Sequence, residues 1–172
     1  LWVHRFYQYT GFRTQLGPTS GAMGYGVPSG VAAKLVHPER PVISFMGDGD
    51  FQMSGQELAT AMQYDAKVIF IVVNNGMYGT IRMHQEKYYP GRVIATDLRN
   101  PDFAALARAY GLYAEIVEKT ADFAAAFERA WNAPTASLLE LRTDPDAILP
   151  RLTLSGLRAA ALENRKRERV NE

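Results

Sequence analysis

Two short turns carry the groups best suited to chemistry in this sequence. Gly47-Asp48-Gly49-Asp50 ends the apolar run Pro41 to Met46, and Asn74-Asn75-Gly76 ends the run Val68 to Val73. Asp48 offers an anionic oxygen and the Asn75 amide a neutral one. Hard oxygen donors with little protein charge suit Mg²⁺, which keeps water and shares itself with phosphate oxygens. The glycines let backbone turn tightly and approach a ligand closely. Taken separately, each turn is also an ordinary reversal of the chain.

The elements that must position these turns follow from periodicity. Both preceding runs are apolar at successive positions, as expected of strands buried on both faces of a parallel sheet. Tyr113 to Val117 and Ser137 to Leu141 are further strand candidates. Pro28 suits the first turn of a helix ending near Val36. Ser54 and Glu57 read as a capping box for a helix reaching about Tyr64, whose free N–H groups would face an anion. Asn100-Pro101-Asp102 reads as another start, with Asn100 as the cap and a stop near Gly111. Thr120 is expected to cap a helix carrying Phe123, Phe127 and Trp131 on one face. Strands alternating with helices give an α/β class: an open, mainly parallel sheet with helices on both faces. Ligands bind such sheets beyond the carboxyl ends of the strands, where both turns lie.

Composition narrows the function classes. The 172 residues include 47% hydrophobic and 22% charged side chains, suited to one globular domain with a sizeable core. Nineteen basic and 18 acidic residues leave a formal charge of +1, which makes no electrostatic case for nucleic acid or a membrane surface. The chain has no cysteine, which excludes disulfides, thiolate metal sites and a cysteine nucleophile. A cytoplasmic location is expected on that basis. The opening Leu1-Trp2-Val3-His4-Arg5 lacks an initiator Met, and the chain reads as a piece of something longer.

Read together, the turns are more specific. Gly-Asp-Gly, 24 residues from Asp50 to Val73, then Asn-Asn at a second strand end resembles the thiamine diphosphate signature. Ser20-Gly21-Ala22-Met23-Gly24-Tyr25-Gly26-Val27-Pro28 is similar to the glycine-rich stretch upstream of that signature in acetolactate synthase-like enzymes. Gln56-Glu57-Leu58, Asp97 to Phe103 and Asp144-Pro145 extend the likeness over roughly Gly11 to Ile148. The chain thus resembles the C-terminal diphosphate-binding domain of that family. This implies a pyrophosphate-binding domain over 1–150 and a helical tail over 151–172, the latter reading as a solvated terminal helix.

The resemblance also implies roles. Asp48, the Asn75 side chain and the Met77 carbonyl would hold Mg²⁺. Gly47, Gly49 and Asp50 would meet the diphosphate, with Tyr78 and Gly79 in the loop closing over it. Met23 would wedge beneath the bent cofactor, and the Gly21 carbonyl would accept from its 4′-amino group. Thr80 and Ile81 would border the substrate pocket. Pyruvate-type decarboxylases often carry a glutamate where this chain has Ile81, which counts against that subgroup. His84, one helical turn beyond Thr80, could face a substrate or simply solvent; His37 reads as a surface residue, and His4 lies in an aromatic stretch suited to a domain interface.

No residue here matches the glutamate that activates the cofactor in this family, which belongs to a separate pyrimidine-binding domain, usually of another subunit. The pyrimidine-binding and central domains are expected to be absent from this chain. The isolated chain is therefore expected to be catalytically silent. The whole enzyme would be a homodimer or tetramer acting on a 2-oxo acid such as pyruvate, as a carboligase. A simple decarboxylase acting on an aryl or alkyl 2-oxo acid, and a non-catalytic cofactor-binding subunit pairing with a second chain, remain open.

Overall fold

The computed structural model describes residues 2–170, which form two compact units. Among the described residues the first comprises 2–74 and 100–142 and is built on four parallel strands. These are β1 (Val42–Gly47), β2 (Val68–Asn74), β3 (Tyr113–Val117) and β4 (Ser137–Arg142), in the spatial order β1-β2-β4-β3. All four match the strands expected from sequence to within a residue or two at either end.

Alternation along β2 explains the layers. Val68, Phe70 and Val72 point to one face, where they meet α2 (Gly26–Val36), α3 (Asp48–Ser54), α4 (Leu58–Gln63) and α6 (Phe103–Ala109). Ile69 and Ile71 point to the other, against Leu139 and α7 (Phe123–Trp131). Val68, Phe70, Ile71 and Val72 are fully buried, and each such side chain contributes about 1.5–3 kcal/mol over exposure. The short helix α1 (Trp2–Phe6) also belongs to this unit. β1 departs from expectation. Its Met46 is buried, but Ile43 and Phe45 on the opposite face are 39% and 42% exposed. The physical reason is that α7 covers β3 and β4, while β1 lies at the far edge of the sheet.

Three helix starts also differ from the sequence expectation. The helix after β1 begins at Asp48, directly behind the extended Gly47. Ser54 is therefore its last residue and caps nothing; its buried hydroxyl has no hydrogen-bond partner. Glu57 accepts from the Thr60 hydroxyl at 2.6 Å and does not reach back to Ser54. Downstream, Asp102 and not Asn100 caps α6, accepting from the Ala105 N–H at 2.7 Å. Asn100 lies too far upstream to reach that turn, and its amide is engaged elsewhere. Asp102→Ala is expected to cost about 1 kcal/mol, seen as a lower urea midpoint at unchanged m-value. Thr120 opens a 3₁₀ turn without a side-chain cap. The aromatic ladder on α7 is as expected, with Phe123–Phe127 and Phe127–Trp131 ring centroids 5.8 and 6.1 Å apart.

Among the described residues the second unit comprises 75–99 and 143–170. It holds α5 (Gly79–Tyr88), the antiparallel pair β5 (Ala147–Leu149) and β6 (Leu152–Thr153), and α8 (Leu154–Val170). The terminal helix is packed on α5, through ion pairs from Arg158 to Glu86 and a hydrogen bond from Arg165 to the Tyr88 carbonyl. Its start is fixed by Asp146, whose carboxylate accepts from the Ser155 N–H at 2.8 Å and the Ser155 hydroxyl at 2.6 Å. Those two bonds hold the Asp146 carboxyl below the usual carboxylate range.

Candidate functional site

In the first unit, parallel pairing sets Gly47 opposite Val73, so the residues that follow, Asp48 and Asn74, leave neighbouring strand tips. Asp48 is 2% exposed. Its Oδ1 accepts from the Gly49 N–H at 3.0 Å and its Oδ2 from Asn100 Nδ2 at 2.7 Å. The same Asn100 nitrogen donates to Asn74 Oδ1 at 2.8 Å, and Asn100 Oδ1 accepts from Gln52 Nε2 at 2.8 Å. Asn74 in turn donates through Nδ2 to Glu140 Oε1 at 2.8 Å.

Glu140 is fully buried in the middle of β4, between Leu139 and Leu141. It also accepts from the Phe103 N–H at 3.0 Å and pairs with Arg142 Nε at 2.8 Å. Asn100 is read from sequence only as a helix cap, and Glu140 is not singled out at all. The signal was present for Glu140, because a carboxylate inside the otherwise apolar Ser-Leu-Leu-Glu-Leu needs buried partners. Asn100 gave none, since Asn before Pro-Asp reads first as a helix start.

The glycine-rich stretch is fastened to the same helix. Asp50 accepts from the Gly24 N–H, and Gly24 adopts φ +84°. Burial pushes the Asp50 carboxyl up, against the lowering effect of the Gly24 and Tyr25 N–H groups. A side chain at Gly24 would crowd Met53, with Cβ atoms 3.2 Å apart. Gly21 has φ +68°, and both it and Gly47 face open space where a Cβ would stand. Met23 is 41% exposed.

The second unit holds the other group of expected residues. Asn75 Oδ1 accepts from the Met77 N–H at 3.2 Å, a local Asx-type turn. A Cβ at Gly79 would lie 2.8 Å from Asn75 Nδ2 and would push that amide aside. A strip of backbone pins this loop: Leu98 N–H to Gly76 O at 2.8 Å, Tyr78 N–H to Thr96 O at 2.9 Å, and a Met77–Asp97 antiparallel bridge. Thr80 and Ile81 occupy the exposed first turn of α5. His84 is exposed and stacks on Tyr88, centroids 6.0 Å apart. His37 is exposed at the end of α2, and His4 is exposed with Nδ1 2.5 Å from Gln15 Nε2.

Among the described residues no group of three His, Asp or Glu side chains forms a ready-made metal cage. No helix among the described residues is long and apolar enough to cross a membrane.

Comparison with known proteins agrees with this geometry. A family model described as "Thiamine pyrophosphate enzyme, C-terminal TPP binding domain" matches residues 1–141. An acetolactate synthase from Arthrospira platensis is 36% identical over 85% of this chain and 26% of its own length. An acetolactate synthase large subunit from Lactococcus lactis is 38% identical over 65% of this chain and 20% of its own length. The chain therefore spans about a quarter or less of these relatives. Among solved structures, the thiamine diphosphate-dependent 4-hydroxybenzoylformate decarboxylase of Rhodococcus jostii RHA1 superposes with a TM-score of 0.70 at 37% identity, covering 74% of this chain and 24% of that one. With the parallel sheet, the strand-tip turns and a family match over most of its length, the chain belongs to the C-terminal thiamine pyrophosphate-binding domains of thiamine pyrophosphate enzymes.

Proposed function

We propose that this chain binds the diphosphate of thiamine diphosphate through Mg²⁺, as part of a 2-oxo acid carboligase of the acetolactate synthase type. The observation that carries the reading is the pairing of β1 and β2, which brings the buried Asp48 and Asn74 to adjacent strand ends. Asp48, the Asn75 amide oxygen and the Met77 carbonyl are the proposed metal ligands. The donor set fits: one carboxylate and two neutral oxygens leave positions for water and phosphate oxygens. Open space at Gly47 and Gly21 allows close approach of a ligand to the backbone.

Gly49 and Asp50 lie in the first turn of α3, whose backbone N–H groups are not used in the helical ladder, and both are proposed to donate to the diphosphate, Gly49 while also reaching the Asp48 carboxylate. Tyr78 and Gly79 would complete that enclosure, Met23 and Gly21 would meet the rings, and Thr80 and Ile81 would border substrate. The thiazolium of the bound cofactor supplies an electron sink for decarboxylating a 2-oxo acid. This chain's part is to bind and orient it. The activating glutamate is proposed to come from the pyrimidine-binding domain of another subunit in a homodimer or tetramer, so that the chain alone turns over no substrate.

A decarboxylase acting on an aryl 2-oxo acid is the second reading, favoured by the 37% identity to the 4-hydroxybenzoylformate enzyme. Supplying the chain with a pyrimidine-binding domain and identifying products from pyruvate and benzoylformate separates the two. For the chain itself, calorimetry should detect weak thiamine diphosphate binding that requires Mg²⁺. Equal binding with and without Mg²⁺, or none at millimolar ligand, would refute the proposal.

A further inference from the structure

We infer that the side chain of Asp50 is a positioning group: it fastens the Gly21–Gly24 stretch, and with it Met23, to α3, the helix that opens with Asp48. This rests on the thiamine diphosphate reading above, in which the Asp48 turn serves the diphosphate and Gly21 and Met23 serve the rings. The carboxylate of Asp50 would then hold the two halves of one ligand site in register.

Asp50 lies in the first turn of α3, and its Oδ1 accepts from the Gly24 N–H. The Tyr25 N–H acts on the same carboxylate. Gly24 also packs on α3. A Cβ built there would lie 3.2 Å from the Met53 Cβ and 4.0 Å from the Ser54 hydroxyl. Asp50, Met53 and Ser54 stand at i, i+3 and i+4, so one helical face receives Gly24. Gly24 meets that face with φ +84°, a conformation that favours glycine.

Neighbouring contacts do other work. The Gly21 N–H donates to the Pro18 carbonyl at 3.1 Å, a local turn that shapes the stretch without tying it to α3. The Ser44 hydroxyl donates to the Gly26 carbonyl at 2.7 Å, and a Cβ at Gly26 would lie 2.9 Å from the Met46 Cβ. The start of α2 is thus anchored on β1 independently of Asp50. Between Gly21 and Gly24 lie Ala22 and Met23, both exposed. Removing the Asp50 carboxylate therefore loosens the exposed stretch and leaves the sheet and α2 in place. A loosened stretch must be ordered again when the rings bind, which costs affinity.

Two ligands separate this role from a general loss of structure. Thiamine diphosphate carries rings and a diphosphate; methyl diphosphate carries the diphosphate alone. Calorimetry of the full chain with each, at saturating Mg²⁺, gives an affinity ratio, with thermal unfolding recorded in parallel. Asp50→Ala should lower that ratio by about 10-fold or more, as expected if one residue's backbone must be re-ordered. Asp50→Asn keeps an oxygen acceptor at the same reach and should preserve the ratio, because the lost charge acts mainly on the diphosphate that both ligands share. Asp50→Glu keeps the charge, displaces the acceptor and should lower the ratio; it decides the matter if the Ala variant does not fold. A purely structural role would weaken both ligands equally and lower the melting temperature. An unchanged ratio in the deciding variant, an equal fall in Asp50→Asn, or failure of both Asp50→Ala and Asp50→Glu to fold overturns the inference alone. Equal affinity of the unsubstituted chain for the two ligands does the same. Failure of that chain to bind thiamine diphosphate in a Mg²⁺-dependent way overturns the cofactor reading, and this inference with it.

Discussion

Asp48→Ala is expected to abolish Mg²⁺-dependent thiamine diphosphate binding, with at least a 100-fold loss in calorimetric affinity, on the order of 3 kcal/mol or more. Among the proposed ligands, Asp48 alone carries charge. Asn75 and the Met77 carbonyl offer only dipoles, and a divalent ion without its carboxylate has little reason to leave water. The substitution also removes the acceptor of one part-buried Asn100 N–H, at less than the cost of about 1–3 kcal/mol for a fully buried donor. Asp48→Asn separates the two effects. It preserves volume and removes the charge, so binding should still fall steeply while the unfolding midpoint changes less than in Asp48→Ala. Retained Mg²⁺-dependent binding in both variants would remove Asp48 from the metal site.

The second large effect concerns Glu86 and acid stability. Its side chain is fully buried on α5 and accepts from Arg158 Nε at 2.8 Å, the Gly91 N–H at 3.0 Å and Arg82 Nε at 3.2 Å. The Arg158 hydrogen bonds, opposed by burial and reinforced by Gly91 and Arg82, lower its pKa from 4.5 to about 2. A depressed carboxylate pKa stabilises the folded state above the unfolded pKa and loses that contribution as pH falls toward the folded one. The contribution is therefore complete at neutral pH and drains away between about pH 5 and pH 2.

Its size is about 2 kcal/mol, smaller than the full shift implies because Arg158 remains 42% exposed and solvent screens the pair. Glu86→Gln should lower stability by roughly that amount at pH 7. The gap between variant and parent should shrink by more than half at pH 3. A gap independent of pH would mean that packing of α5 against α8, and not the ion pairs, holds this unit together. Arg82 makes the consequence local to the proposed site, since it also binds Asp97 at 2.9 Å and Thr96 at 3.2 Å, the strip that pins Met77 and Tyr78.

Much of the fold was legible because it rests on local patterns. Four β-branched or apolar runs gave four strands, and α7 announced itself by aromatics at positions 123, 127 and 131. Helix starts were less legible. A capping signal is a short string that several registers satisfy, and Ser54 and Asn100 each lost to a start the backbone preferred nearby. The sidedness of β1 was not legible either. Ile43 and Phe45 look like core in one dimension, and only strand order shows that they lie on an uncovered face.

What the sequence determined by itself was the chemical inventory: an acid and two amides on strand-ending turns, no cysteine, and glycines within those turns. Those choices are written residue by residue and need no distant partner to be read. Only tertiary structure decided how that inventory is aimed. Asp48, Asn74, Asn100 and Glu140 are separated by up to 92 positions in the chain, yet they share one hydrogen-bond network. The reason is that the direction of an amide or a carboxylate is set by its neighbours in space. Parallel strand register and sheet order, unlike residue type, are properties of the whole chain.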